Sequence, residues 1–136
     1  MIEIRQETDP AIVDKIKGHF IEDGAYNSQV IASELIESMA YDPTAVCVLV
    51  GYADEVVIGL IVAWVPVNRE YVWLDQAWVD QKYKDDITLK GFSKLEAWTK
   101  DRSLKEIRCE TERNSAAIQR KWGFIEHGVI MTREIK

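Results

Sequence analysis

Cationic excess is missing from this chain. Its 136 residues carry 17 Lys and Arg against 23 Asp and Glu, a net charge of −6. Phosphate backbones are bound by Lys and Arg, so no nucleic-acid partner is expected. Long apolar runs are missing too. The stretch from Val56 to Val67 is too short to cross a bilayer and is broken by Gly59 and Pro66. No signal-peptide pattern opens the chain. No membrane association is therefore expected, and a reducing, soluble compartment, the cytoplasm, is. Cysteine is scarce: Cys47 and Cys109 both fall in apolar runs and read as buried, reduced thiols. His19 and His127 lie far from them in sequence, so no metal site is expected. Repeats, linkers and low-complexity segments are absent. The length fits one domain, residues 1–136.

What the chain does have is a near-half apolar content and 5 Trp, ample for one packed core. The tryptophans read as core rather than as a substrate platform. Met1 to Glu7 alternates apolar and charged residues, the mark of a half-buried strand. Thr8-Asp9-Pro10 supplies a capping oxygen followed by proline, a helix start. Ile12, Val13, Ile16 and Phe20 then recur at helical spacing. Asn27-Ser28 caps a second helix with Ile31, Leu35, Ile36 and Met39 on one face, ended by Asp42-Pro43. Ala45–Tyr52 and Val56–Val65 are β-rich and flank Ala53-Asp54-Glu55, a hairpin, and Gly59 marks a bulge. Tyr71–Val79 is a third strand of this run. A helix over Asp86–Asp101 carries Ile87, Gly91, Leu95 and Trp98 on one stripe. Lys105–Glu110 is a strand, Ser115–Lys121 a helix, and His127–Ile135 the final strand. The order β-α-α-β-β-β-α-β-α-β implies an α/β fold, a mixed central sheet with helices on both faces.

That order closes with Asn114-Ser115-Ala116-Ala117-Ile118 and Lys121-Trp122-Gly123-Phe124. The two segments resemble the Asn-x-Ala-Ala start and Lys-Leu-Gly-Phe end of the last helix in the GNAT superfamily of acetyl-CoA-dependent N-acetyltransferases. The resemblance covers essentially the whole chain. It implies a GNAT-like fold whose fourth strand, Tyr71–Val79, runs parallel to Lys105–Glu110 and splays from it, with Trp78 or Cys109 near the gap. It also implies acetyl-CoA as acyl donor. Backbone groups of Ala77, Trp78 and Val79 would hold the pantetheine arm, and Asn114 would belong to the same cofactor site. Asp75 stands where many members carry an acidic residue, beside Trp73, and is the candidate base for an amine.

Departures from the family pattern cluster at the phosphates. A Gly-rich loop normally lets backbone N–H groups approach the pyrophosphate at a helix start. Here Lys84 takes the cationic position, without the fork of an Arg. Ile87 and Leu89 replace the glycines. Asp85 and Asp86 are expected to cap the helix with the protein's own carboxylates, which opposes a phosphate. Gln119 occupies the position where many members place a Tyr proton donor. The expected function is thus acyl transfer from acetyl-CoA to a small amine or a protein amine, with a degenerate pyrophosphate loop. The alternative is a non-catalytic GNAT-fold component of an assembly, loosely like GNAT-fold proteins of tailed phages and so of a virion, with protein partners. Tyr26, Tyr41 and Tyr83, beside an open strand edge at Met1–Glu7, are its candidate surface. An unrelated small α/β binding module is the third reading.

Overall fold

A computed structural model describes residues 1–22, 24–110, 125–127 and 130–135. Among these residues, seven strands form one sheet in the order β1-β2-β3-β4-β5-β7-β6. They are β1 Ile2–Gln6, β2 Val46–Ala53, β3 Val56–Trp64, β4 Val72–Val79, β5 Glu106–Glu110, β6 Ile125–His127 and β7 Ile130–Glu134. Only β4 and β5 pair in parallel; the other neighbours are antiparallel. The helices are α1 Val13–Ile16, extended on both sides by 3-10 turns, α2 Ser28–Tyr41 and α3 Lys84–Asp101.

Local chemistry explains the boundaries. The Asp9 side chain accepts from Ala11 N at 2.9 Å and starts the first helical stretch. Asn27 does the same for α2 through Val30 N at 3.1 Å. Asp54 and Glu55 both have positive φ, 49° and 68°, and close the β2–β3 hairpin as a two-residue turn. That turn matches the twist of its flanking strands, which fixes the register.

The central strands are buried on both faces. Along β2, Val46, Val48, Val50 and Tyr52 pack with α1 and α2, while Cys47 and Leu49 pack with α3. The α3 stripe is as expected: Ile87, Gly91, Leu95 and Trp98 are all buried. On α2 the stripe is Ile31, Ala32, Leu35 and Met39, and Ile36 lies 42% exposed. Ala32 takes that place on the buried face. The final strand is corrected from one segment to two: β6 and β7 form a hairpin that extends the sheet beyond β5. The expected helix at 115–121 lies outside the described residues.

Candidate active site at the end of β4

The two flanks of β4 are unequal. On one side β4 pairs with β3 from Trp73 to Val79. On the other it pairs with β5 only at Val72↔Ile107 and Trp73↔Arg108. From Leu74 onward no strand among the described residues occupies that flank. This is the expected parallel pair with divergent C-terminal ends. The backbone groups left there are where an amide-bearing arm could bond. Ala77 faces the α3 layer, Trp78 the α1–α2 layer, and Val79 packs near Ile87. Cys109 is buried in the α3-side core.

The register also shifts inside β4. Ala63 pairs with Leu74 and Val62 with Gln76, so Asp75 is an extra, unpaired residue. A bulge of this kind turns the alternation over. Trp73 lies on the α1–α2 face. Strict alternation would then place Asp75 on that face and Gln76 on the opposite one. With the bulge both meet the same loop. Tyr26 Oη donates to Asp75 Oδ2 at 3.0 Å. Gln76, 4% exposed, accepts from Ile21 N at 2.7 Å through Oε1 and donates to Ile21 O at 3.2 Å through Nε2. Next along the strand, the Trp78 ring stacks on His19 at 3.9 Å and 14°. The loop between α1 and α2 is thereby tied to β4 at three successive points.

Burial pushes the Asp75 carboxyl above the usual carboxylate range. Hydrogen bonding from Tyr26, Gln76 and Trp73 pulls the other way, and the negative charge of Glu34 on α2 adds to the rise. Burial first, and then Asp75, push the Tyr26 phenol upward, so it remains a donor. Tyr26 was among the candidates for an exposed partner surface; it belongs here instead. Tyr83 packs against the small cluster of Ala53, Ile58 and Ile87. Tyr41 is 89% exposed at the far end of α2, about 20 Å along the helix from Tyr26. The three tyrosines therefore form no single patch.

At the phosphate end one expectation is corrected. Asp80, not Asp85 or Asp86, supplies the cap: its side chain accepts from Lys82 N at 3.0 Å and starts a 3-10 turn over Gln81–Tyr83. That turn runs directly into α3 at Lys84. Asp85 and Asp86 sit exposed in the first turn of the helix and oppose an anion by charge alone. Ile87 is buried, and its Cδ1 fills the space where side chains at Gly51 and Gly59 would stand; a Cβ on Gly59 would lie 2.7 Å from it. Leu89 points outward, 74% exposed. Lys84 is half-buried at the first helical position. Beneath these turns lies an apolar cleft of about 60 Å³, lined by Ala77, Val79, Ile87, Gly91 and their neighbours. Asn114 and Gln119 lie outside the described residues.

Cys47 and Cys109 are free and buried, and burial pushes their thiols up to about 12 and about 11. Thiolate chemistry is closed to them at neutral pH. Among the described residues no cluster has the makings of a metal site, and no helix is long and apolar enough to cross a membrane.

The sequence alone could have flagged His19, one of only 2 histidines. It singled out Tyr26 only for a partner surface, and nothing in it flagged Gln76, whose place depends on the bulge.

Comparison with known proteins places this geometry. No family model and no curated protein matches the chain. Solved structures do, along its whole length. An N-acetyltransferase from Escherichia coli, acting on a ribosomal-protein alanine, superposes with a TM-score of 0.72 at 16% identity, covering 100% of this chain and 95% of that one. A GNAT-family acetyltransferase from Streptococcus pneumoniae gives 0.70 at 12% identity, covering 100% of both. PaiA N-acetyltransferase from Thermoplasma acidophilum, in complex with coenzyme A, gives 0.69 at 17% identity, covering 98% and 99%. At these identities the likeness is one of fold: the chain has the GNAT fold, from first strand to last.

Proposed function

We propose that this protein is an N-acetyltransferase that moves an acetyl group from acetyl-CoA to an amine, with Asp75 as the base. The observation that carries the reading is the placement of Asp75, a half-buried carboxylate held by Tyr26 on the stretch of β4 whose flank β5 leaves open. The open flank suits the arm of a coenzyme A thioester, whose amides match strand-edge groups. The phosphate end suits it less well: Lys84 supplies a cation, and Asp85 and Asp86 oppose the anion. Tyr26 and Gln76 join Asp75 as site residues in this reading, with backbone groups of Ala77, Trp78 and Val79 along the arm.

The donor, when bound, supplies an activated thioester carbonyl. The chain's own residues handle the amine. An acceptor arrives as an ammonium ion and is drawn to the Asp75 carboxylate. With its affinity for protons raised by burial, Asp75 takes one from the ammonium and leaves the nitrogen lone pair free. The Tyr26 hydroxyl donates to Oδ2 and holds the carboxylate in place. The carbon–nitrogen bond forms, the carbon–sulfur bond breaks, and the thiolate takes up a proton, so amine and thioester become amide and thiol. The stacked His19–Trp78 pair and the loop bound by Gln76 border the acceptor side. A small amine or an amine on a protein would both satisfy this chemistry.

A second reading draws on the acidic first turn of α3 and its missing glycines: a GNAT-fold protein that no longer turns over acetyl-CoA and serves as a binding component. Two measurements separate them. Calorimetric titration with acetyl-CoA should give saturable heat. Release of free thiol over a panel of diamines, aminosugars and peptides should depend on the acceptor and collapse in Asp75→Asn. Neither heat nor thiol release across the panel would leave only the binding reading.

A further inference from the structure

At the opposite border of the sheet, β1 has a neighbour on one side only among the described residues. Its register shows which backbone groups are left over. Gln6 stands opposite Leu49, and Glu7 N donates to Val48 O at 2.8 Å. In an antiparallel pair, bonded positions recur every second residue. Arg5 and Glu3 therefore turn their N–H and C=O groups toward β2, and Ile2, Ile4 and Gln6 turn theirs outward. An edge of this kind is a template for another strand.

We propose that the occupant is β1 of a second copy of this chain, paired antiparallel about a two-fold axis at Ile4. The inference stands apart from the acetyltransferase reading. Placing Ile4 opposite Ile4 makes the edge self-complementary. Every outward N–H of Ile2, Ile4 and Gln6 then meets an outward carbonyl of Gln6, Ile4 or Ile2 on the other copy. The same register sets Glu3 opposite Arg5 of the second copy, and Arg5 opposite its Glu3. These are non-bonded positions, where side chains come closest. Charges of opposite sign thus face each other on both sides of the axis. A shift of two residues would put like charge against like, Glu3 against Glu3 or Arg5 against Arg5.

The other face of the edge fits the same occupant. Ile2 and Ile4 point toward α3. Between β1 and α3 runs an open groove lined by Ile2, Ile4, Leu89 and Ser93, with Glu3, Lys90 and Lys94 along it. Leu89 is 74% exposed on its flank. In the paired arrangement two such grooves meet across the axis, and each Leu89 is covered by the other copy. The symmetry is of the closed kind, so pairing ends at two copies.

Glu3 and Arg5 also pair with each other within one chain, and Arg5 Nη2 reaches Glu55 Oε1 at 2.7 Å. The test must therefore separate intrachain from interchain pairing. Sedimentation equilibrium over a wide concentration range should give twice the chain mass for the wild type. Glu3→Arg sets Arg against Arg across the axis and should weaken association about tenfold or more. Arg5→Glu should do the same. The double variant Glu3→Arg, Arg5→Glu restores opposite charges and should restore the dimer. Leu89→Asp, at an exposed position, should weaken association while leaving the melting temperature of the separated chain in place. A wild type that stays monomeric at every concentration would overturn the proposal, as it would if the edge served a different protein. So would a dimer indifferent to both single reversals, or one that the double reversal fails to restore.

Discussion

The two ends of the proposed site, for acceptor and for phosphate, are built in different ways. At the acceptor end, polar side chains make specific, partly buried bonds: Asp75 to Tyr26, Gln76 to Ile21, with Trp78 stacked on His19. At the phosphate end the anchors are apolar. Ile87 is seated against two glycines of the sheet, and the charged groups of the first turn, Asp85 and Asp86, are exposed. Directional bonds fix where a side chain points; apolar packing fixes only how close a helix comes. Geometry is therefore tightly determined where a proton would move. Where phosphates would rest, the determinants are charge and helix height.

The sharpest way to break this comparison is at Asp75. Asp75→Asn should lower acetyl transfer by ~10²-fold or more, since it removes the proposed general base. Stability should not fall with it. Burial raises the folded pKa of Asp75, so its protonated form is favoured by folding and that preference is lost as pH rises through the folded pKa. The neutral amide should thus match or exceed the wild type in melting temperature at neutral pH. A large drop would mean that Asp75 is structural.

Packing at the phosphate end should be the next most costly to disturb. Ile87→Ala, emptying a buried position against Gly51 and Gly59, should lower unfolding free energy by about 3 kcal/mol in denaturant titration. At the acceptor end, Gln76→Leu strands the Ile21 N–H and carbonyl and should cost about 2 kcal/mol. It should also raise the acceptor KM, because it loosens the loop. A Gln76→Leu variant with unchanged KM would detach that loop from acceptor binding.

Smaller effects sharpen the contrast. Asp85→Asn with Asp86→Asn should tighten acetyl-CoA severalfold by calorimetry, given several tenths of a kcal/mol for each charge near a helix start. No change would mean that these exposed carboxylates are screened. Tyr26→Phe removes a donor that lowers the Asp75 pKa, so the acid limb of the kcat/KM profile should move to higher pH. A profile that only scales down, without shifting, would show that Tyr26 holds the loop and not the charge.

Much of the fold was legible because its signals are local. Capping residues at Asp9 and Asn27, the hairpin at Asp54-Glu55 and the α3 stripe each rest on a few neighbouring residues. Asp75 was legible as a strand acid at a recognisable position. Its partners were not. Alternation along Val72–Val79 places Gln76 on the face away from Tyr26, and one unpaired residue reverses that. Pairing between strands creates the bulge, and no single strand announces it. The first turn of α3 was misread for a related reason. Asp85 and Asp86 look like caps until Asp80 is seen to start the turn before them. Ile87 was read twice, as a stripe residue and as a lost glycine. Only the first describes its packing, because the glycines it needs lie on β2 and β3.

That seat has a genetic consequence. Gly59 and Ile87 share one volume: a Cβ at position 59 would also stand 3.3 Å from Trp78 O, so the side chain at position 87 is the part able to yield. The two positions should behave epistatically. Gly59→Ala alone forces Ile87 aside, and Ile87→Val alone leaves space, while the pair together should cost less than their sum. Substitutions at one of these sites are therefore interpretable only with the other in view, and a drifting sequence would have to change them together or not at all.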